Sequence, residues 1–270
     1  MESSRLSRLL KTKNHCLPMN QSQNEFEKST PPVAEIFGAL EEHIAELRKR
    51  LIISAIGLIA AVLICFFFSE PIMDFLCGPI GGLHSLTAIE ITENVSSVFD
   101  VALLAGFILA FPLIAYEAFA FILPGLKSTE KAVLFRFLPP VILFFLAGVA
   151  FAFYIVLPAA IPFLTSFMGI KTEIRPSDYI SFSTNLIFWI GIVFEMPILI
   201  YIAARLGIIR AKQLLKNWRQ AVVVCAVLAM IITPTVDPVN MMLLMVPLIG
   251  LYFLSILFAK FAEKKADRRQ

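Results

Sequence analysis

Charged residues are scarce in this 270-residue sequence, which is 16% Asp, Glu, Lys and Arg and 59% hydrophobic. Its mean hydropathy is +0.83. Soluble domains carry roughly 25% charged residues, so the composition argues against a water-soluble fold. Apolar runs near 20 residues can cross a hydrocarbon core of about 30 Å, because a helix rises about 1.5 Å per residue. We therefore expect an all-α, polytopic membrane protein.

Residues that carry catalysis or bind metals are sparse as well. The three histidines are far apart, and no pair of the four cysteines has the spacing of a metal site. The sequence has no phosphate-binding loop, HExxH helix or GxSxG elbow, and no nucleophile can be matched with a base near the membrane. We therefore expect no enzyme activity, no metal, no cofactor and no nucleic-acid partner.

The sequence begins with a polar segment. Residues 1–34 contain a Pro31-Pro32 break and lack apolar periodicity, which predicts a disordered arm. An organelle presequence is the alternative, and Met19 is a second possible start. From Val33 to Arg50, apolar residues recur at three- and four-residue steps, which indicates an amphipathic helix that leads into the membrane.

Six apolar runs follow and predict a six-helix membrane domain over residues 35–260, with a basic tail at 261–270. The fifth run has 14 residues, about 21 Å as a helix, which is short for an average bilayer. The sequence therefore predicts short helices five and six, joined through Thr233-Pro234 and Pro238. The runs are residues 51–69, 97–123, 137–157, 181–204, 220–233 and 240–258.

The distribution of basic residues predicts the orientation. Of the 23 Lys and Arg residues, 21 precede span one, follow spans two or four, or follow span six. Only Lys171 and Arg175 lie on the other side. Because loops rich in Lys and Arg stay in the cytoplasm, both termini are predicted to be cytoplasmic.

Glu195 is the most informative single residue. It lies in the middle of the fourth apolar run, where a charged side chain costs about 2.5–3.5 kcal/mol on insertion scales. It should therefore face a wet cavity or a polar partner, or be protonated. Contact with a translocated or docking segment and a simple helix–helix hydrogen bond are both consistent with this position.

Other acids are better explained as structural. Asp100 and Glu117 bracket the second run, which predicts solvated helix ends near the two membrane surfaces. Asp237 precedes span six and is suited to cap the start of that helix.

Two further acids, Glu46 and Glu130, stand in otherwise basic segments on the predicted cytoplasmic side. Arginine binds carboxylates through paired, charge-assisted hydrogen bonds, so two such sites can distinguish consecutive arginines from lysines. The alternative for Glu46 is a surface ion pair with Arg50, four residues further along the helix.

Several segments together resemble one family, TatC, a subunit of the twin-arginine protein translocase. Their order and their positions relative to six spans match that family, and the likeness covers residues 36 to 260. The segments are Glu42-His-Ile-Ala-Glu-Leu-Arg-Lys-Arg50, Phe121-Ile-Leu-Pro-Gly-Leu-Lys-Ser-Thr-Glu130, Phe194-Glu-Met-Pro197 and Thr233-Pro234.

The resemblance implies a receptor for the twin-arginine signal peptides of folded precursor proteins. With single-span TatA/TatB-type subunits it would form a multimeric translocase in the cytoplasmic (inner) membrane, among membrane lipids and driven by the protonmotive force. No cofactor is implied. Matched by position, Glu46 and Glu130 look like the carboxylates that meet the signal-peptide arginines, with Arg48, Phe121 and Leu126 in the same surface.

Three more positions follow from the same resemblance. Glu195 looks like the family's intramembrane acid, Pro79 like a proline of the first outward loop, and Asp237 like the acid of the last outward loop. A proton-coupled transporter of a small solute is the rival interpretation, with Glu195 as its proton carrier. The absence of an internal repeat of spans argues against it. A structural scaffold would leave Glu46, Glu130 and Glu195 individually replaceable.

Overall fold

The computed structural model describes residues 33–122, 136–166, 174–232 and 238–267. Regular structure in these ranges is helical, apart from one isolated parallel bridge between Leu86 and Ile174. This confirms the predicted all-helical class. The α-helices are α1 (Val33–Phe67), α2 (Ser69–Leu76), α3 (Ile91–Ile122), α4 (Leu138–Phe151), α5 (Leu157–Ser166), α6 (Pro176–Phe194), α7 (Met196–Arg205), α8 (Ala211–Lys216), α9 (Trp218–Ile232) and α10 (Pro238–Asp267).

Within the described residues, 5 helical stretches are long and apolar enough to cross a membrane. α9 is a shorter apolar helix of 15 residues, which confirms that the fifth apolar run is short. The long stretches are His43–Phe67, Thr92–Ile122, Leu138–Pro162, Pro176–Arg205 and Leu244–Lys264.

The expectation of a short sixth helix was wrong. α10 has 30 residues, about 45 Å of helix, and continues through the charged segment that follows the apolar run. No glycine or proline occurs between Leu251 and Asp267, and Ala, Lys and Glu are good helix formers. Loss of hydropathy ends an apolar run but does not end a helix, so residues 261–267 of the predicted tail are helical.

The chain divides into two compact units, residues 1–49 and 50–270. In the first unit the structure describes the helical residues 33–49, within which the exposed polar side chains include Glu41 and Arg48. The second unit contains the remaining helices and the hydrophobic core.

In the second unit, α6 packs against α3 and α4, while α10 packs against α7 and α9. The contact between α4 and α6 depends on two glycines. A Cβ atom added at Gly148 would lie 2.7 Å from Cβ of Phe194, and one added at Gly191 would lie 2.8 Å from the ring of Phe145. Small residues of this kind allow membrane helices to approach closely.

Candidate functional site

Glu195 lies at the break between α6 and α7, beside this close helix contact. Pro197 has no backbone N–H, and the chain turns at Glu195 rather than continuing as one straight helix. The Glu195 carbonyl accepts hydrogen bonds from the N–H groups of Ile198 (3.1 Å) and Leu199 (3.0 Å). The break therefore leaves the local backbone satisfied while presenting a carboxyl group inside the helix bundle.

The Glu195 side chain itself is buried and unpaired. The residue is only 6% exposed, and neither carboxyl oxygen has a hydrogen-bond partner among the described residues. Among the described residues, no side chain of a neighbouring helix therefore forms the hydrogen bond considered from the sequence. Because a buried polar group without a partner is costly, this carboxyl group is well suited to receive a donor from another molecule.

Arg50 and Glu117 connect α1 to α3 at the end of the second unit where α3 finishes. Nη1 of Arg50 donates to Oε2 of Glu117 at 3.0 Å, and the two side chains are 25% and 10% exposed. The sequence-based expectation that Glu117 is a solvated helix end was therefore wrong. The ion pair with Arg50, which lies 67 residues earlier in the chain, allows this carboxylate to be buried.

We expect Glu117→Ala to destabilise the protein by about 1.5–3 kcal/mol, the usual range for a hydrogen bond to a charged group. The loss leaves the partly buried Arg50 without this carboxylate. The exchanged pair Arg50→Glu with Glu117→Arg should recover part of the stability. Thermal unfolding of wild type, Arg50→Glu, Glu117→Arg and the exchanged pair in detergent measures the coupling; strictly additive effects would contradict it.

A second ion pair lies at the opposite end of the second unit, where α3 and α6 begin. The Glu93 side chain is 4% exposed and accepts hydrogen bonds from Nε of Arg175 at 2.8 Å and from its Nη2. The backbone N–H of Ile89 donates to the other oxygen at 3.2 Å. Hydrogen bonding to Glu93, together with its charge, raises the pKa of Arg175, so the guanidinium stays protonated.

Two further hydrogen bonds join the segment that precedes α3 to the start of α6. The N–H of Thr87 donates to the carbonyl of Ile174 at 3.1 Å, and the buried hydroxyl of Tyr179 donates to the carbonyl of Leu76 at 2.8 Å. These hydrogen bonds hold residues 68–90 against the start of α6. Pro79, in the 3-10 turn Gly78–Ile80, is a partly buried member of this connection.

We expect Arg175→Met to lower the melting temperature, because it leaves the buried Glu93 carboxylate without its guanidinium. Adding Glu93→Leu should restore part of the loss, since the unpaired charge is removed as well. The matched control is Lys212→Met, which removes an exposed charge from α8. Equal effects of Arg175→Met and Lys212→Met in thermal unfolding would refute a structural role for the pair.

Asp100 borders a mixed polar and apolar groove between α1, α3 and α6, with a volume of 210 Å³. Thr184 and Asn185 contribute the other polar side chains, and each is already bonded to its own helix: Thr184 Oγ1 to the Ile180 carbonyl at 2.8 Å, Asn185 Nδ2 to the Ser181 carbonyl at 2.9 Å. Asp100 is thus partly buried rather than at a freely solvated helix end.

The structure describes some of the remaining sequence-predicted residues, each within its own unit. Glu46 is partly exposed in the first unit, and Phe121 is partly buried at the end of α3, one helical turn after Glu117. Leu126, Glu130 and Asp237 lie outside the described residues.

The helices and the buried carboxyl group define a polytopic α-helical membrane protein. A family model described as Sec-independent protein translocase protein (TatC) matches residues 42–247, and the chain belongs to this family.

Individual relatives agree over most of the chain. The TatC protein of Carboxydothermus hydrogenoformans is 37% identical over 229 residues, which are 84% of this chain and 94% of that protein. The TatC protein of Aquifex aeolicus is 37% identical over 240 residues, covering 86% and 98% of the two chains. A crystal structure described as the twin arginine translocase receptor TatC superposes with a TM-score of 0.73 at 36% identity, over 82% of this chain and 99% of that one.

Proposed function

We propose that this protein is the receptor for twin-arginine signal peptides and the core subunit of a translocase that exports folded proteins. The observation that carries the proposal is the family match over residues 42–247, which includes both Glu46 and Glu130. These acids stand among basic residues, so each offers a carboxylate to an incoming cation.

Recognition follows from the chemistry of the arginine pair. One guanidinium binds Glu46 and the other binds Glu130, each through charge-assisted hydrogen bonds that the ammonium group of lysine cannot reproduce bidentately. Phe121 and Leu126 supply apolar surface for the residues beside the arginines. Arg48 borders the same surface and repels cations that are not aligned with the two acids.

Glu195 serves a different step in this proposal. A buried carboxyl group without a partner can receive a hydrogen bond from a polar side chain of a helix that docks in the membrane. The docking helix belongs to a single-span TatA/TatB-type subunit of the multimeric complex. Pro79 and Asp237 hold the outward loops, Asp237 by capping the start of α10.

The same proposal includes the membrane topology. α9 is the short fifth span, which is accommodated by local thinning of the bilayer or by snorkelling of flanking residues, and both termini are in the cytoplasm. The membrane is the cytoplasmic membrane, and the protonmotive force drives transport.

The function is tested by export of a folded reporter. Cells without their own TatC receive this protein with the single-span subunits encoded in the same genome, and a folded reporter carries an Arg-Arg or a Lys-Lys signal peptide. Export of the Arg-Arg reporter alone is the expected result. No export despite correct insertion, together with uptake of a small solute that requires Glu195, would favour the proton-coupled transporter instead.

A further inference from the structure

Arg205, the last residue of α7, has an unusual environment for an arginine. Its Nη1 atom is buried and has no hydrogen-bond partner among the described residues. A guanidinium nitrogen withdrawn from water without an acceptor is costly, so such groups are normally paired with a carboxylate or another anion.

The backbone around Arg205 is already satisfied and does not use this nitrogen. α7 ends in a Schellman turn, in which Gly207 at φ +76° donates to the Ala204 carbonyl at 3.1 Å and Ile208 donates to the Ala203 carbonyl at 3.0 Å. The positive charge of Arg205 interacts favourably with the C-terminal end of α7. Within the described residues, however, its Nη1 atom still has no hydrogen-bond acceptor.

Small residues bring the ends of α7, α8 and α10 together around this position. Ala204, Ala211, Ala259 and Ala262 form one buried cluster. Glu263 of α10 also lies at this junction, where its Oε1 accepts the backbone N–H of Ala211 at 2.8 Å.

The surrounding surface is strongly basic. None of its cations forms an ion pair within 4.0 Å in the part of the chain that the structure describes. Six of them are exposed, so the field at Arg205 is positive and favours an anion. These six are Arg210, Lys212, Lys216, Arg219, Lys260 and Lys264.

An aromatic side chain indicates that this surface lies at headgroup depth. Trp218, at the start of α9, is 46% exposed, and the Arg219 guanidinium lies 5.7 Å from the centre of its ring. Exposed tryptophan in a membrane protein typically sits at the interface between hydrocarbon and water.

The hydroxyl of Tyr252 links α10 to α8 by donating a hydrogen bond to the Leu214 carbonyl at 2.6 Å.

We propose that Arg205 and the surrounding basic residues bind the phosphate of an anionic phospholipid headgroup. A phosphate accepts two hydrogen bonds from a guanidinium fork and satisfies the buried Nη1. Basic pockets between membrane helices are typical sites for such headgroups, and a lipid seated between α7, α8 and α10 fastens the ends of these helices. The site is independent of signal-peptide recognition.

The test measures lipid binding to the purified full-length protein in detergent, by native mass spectrometry with phosphatidylglycerol and phosphatidylcholine. We expect wild type to retain phosphatidylglycerol preferentially, and Arg205→Gln to weaken that binding about tenfold or more, as for loss of a charged hydrogen-bond partner. Arg205→Lys should keep part of the preference. Arg136→Gln, which removes an exposed basic charge before α4, is the matched control and should have little effect.

A second measurement separates lipid from free phosphate and checks folding. Phosphatidylglycerol should raise the melting temperature of wild type more than that of Arg205→Gln, while excess inorganic phosphate should not replace it. Equal lipid preference in wild type and Arg205→Gln would overturn the proposal. Equal protection by inorganic phosphate would identify a free-anion site and overturn the lipid assignment.

Discussion

Replacing Glu46 and Glu130 together with glutamine is expected to abolish measurable binding of a twin-arginine signal peptide, and each single change should weaken it about 10-fold to 100-fold. A hydrogen bond to a charged group contributes about 1.5–3 kcal/mol, and each 1.4 kcal/mol changes affinity about tenfold. Fluorescence anisotropy of a labelled peptide with the protein in lipid nanodiscs measures the affinity.

The matched control for these variants is Glu41→Gln. It removes an acid from the same helix, where Glu41 is exposed. Affinity should then remain close to that of wild type. If Glu41→Gln weakens binding as much as Glu46→Gln, general charge rather than a specific carboxylate governs recognition. If the double variant binds normally, neither acid belongs to the site.

Replacing Glu195 with leucine is expected to have opposite effects on stability and on export. Leucine removes a buried carboxyl group that has no partner within the described residues, so the isolated protein should become more stable by about 1–3 kcal/mol. This corresponds to several degrees in melting temperature. Export should be lost, because the docking helix no longer finds a polar partner. Thermal unfolding in detergent and export of a folded reporter measure the two effects.

Ser255→Ala serves as the control for Glu195→Leu. Ser255 is buried, but its hydroxyl is bonded within α10, to the Leu251 carbonyl at 2.7 Å. Its loss should leave export intact. Glu195→Gln should export better than Glu195→Leu, since the amide still forms hydrogen bonds. A Glu195→Leu protein that is more stable and exports normally would show that the carboxyl group is not used in transport.

The two cases of α9 and α10 show what hydropathy can predict. The brevity of α9 was evident because an apolar run must cover the hydrocarbon core, and 15 residues are few for that purpose. The length of α10 was not evident. Its last turns contain Lys and Glu, and they are helical because of backbone propensity rather than membrane burial.

The candidate site was predictable only in part. Glu195 could be selected from the sequence, because a lone acid in an apolar run is costly wherever its helix packs. The pairs Arg50–Glu117 and Glu93–Arg175 could not, since their members are separated by 67 and 82 residues. Only the packing of α1 and α6 against α3 brings these charges together. Arg205 also looked like an ordinary basic residue at the end of a span.

Site-specific photocrosslinking of a signal peptide in native membranes tests the receptor proposal most directly. A photoreactive residue beside the arginine pair should crosslink to the segments around Glu46 and Glu130 when the peptide carries Arg-Arg. The crosslink should be lost with Lys-Lys, and it should fall in Glu46→Ala and in Glu130→Ala. A correctly inserted wild-type protein that gives no arginine-dependent crosslink would contradict the assignment of this protein as the signal-peptide receptor.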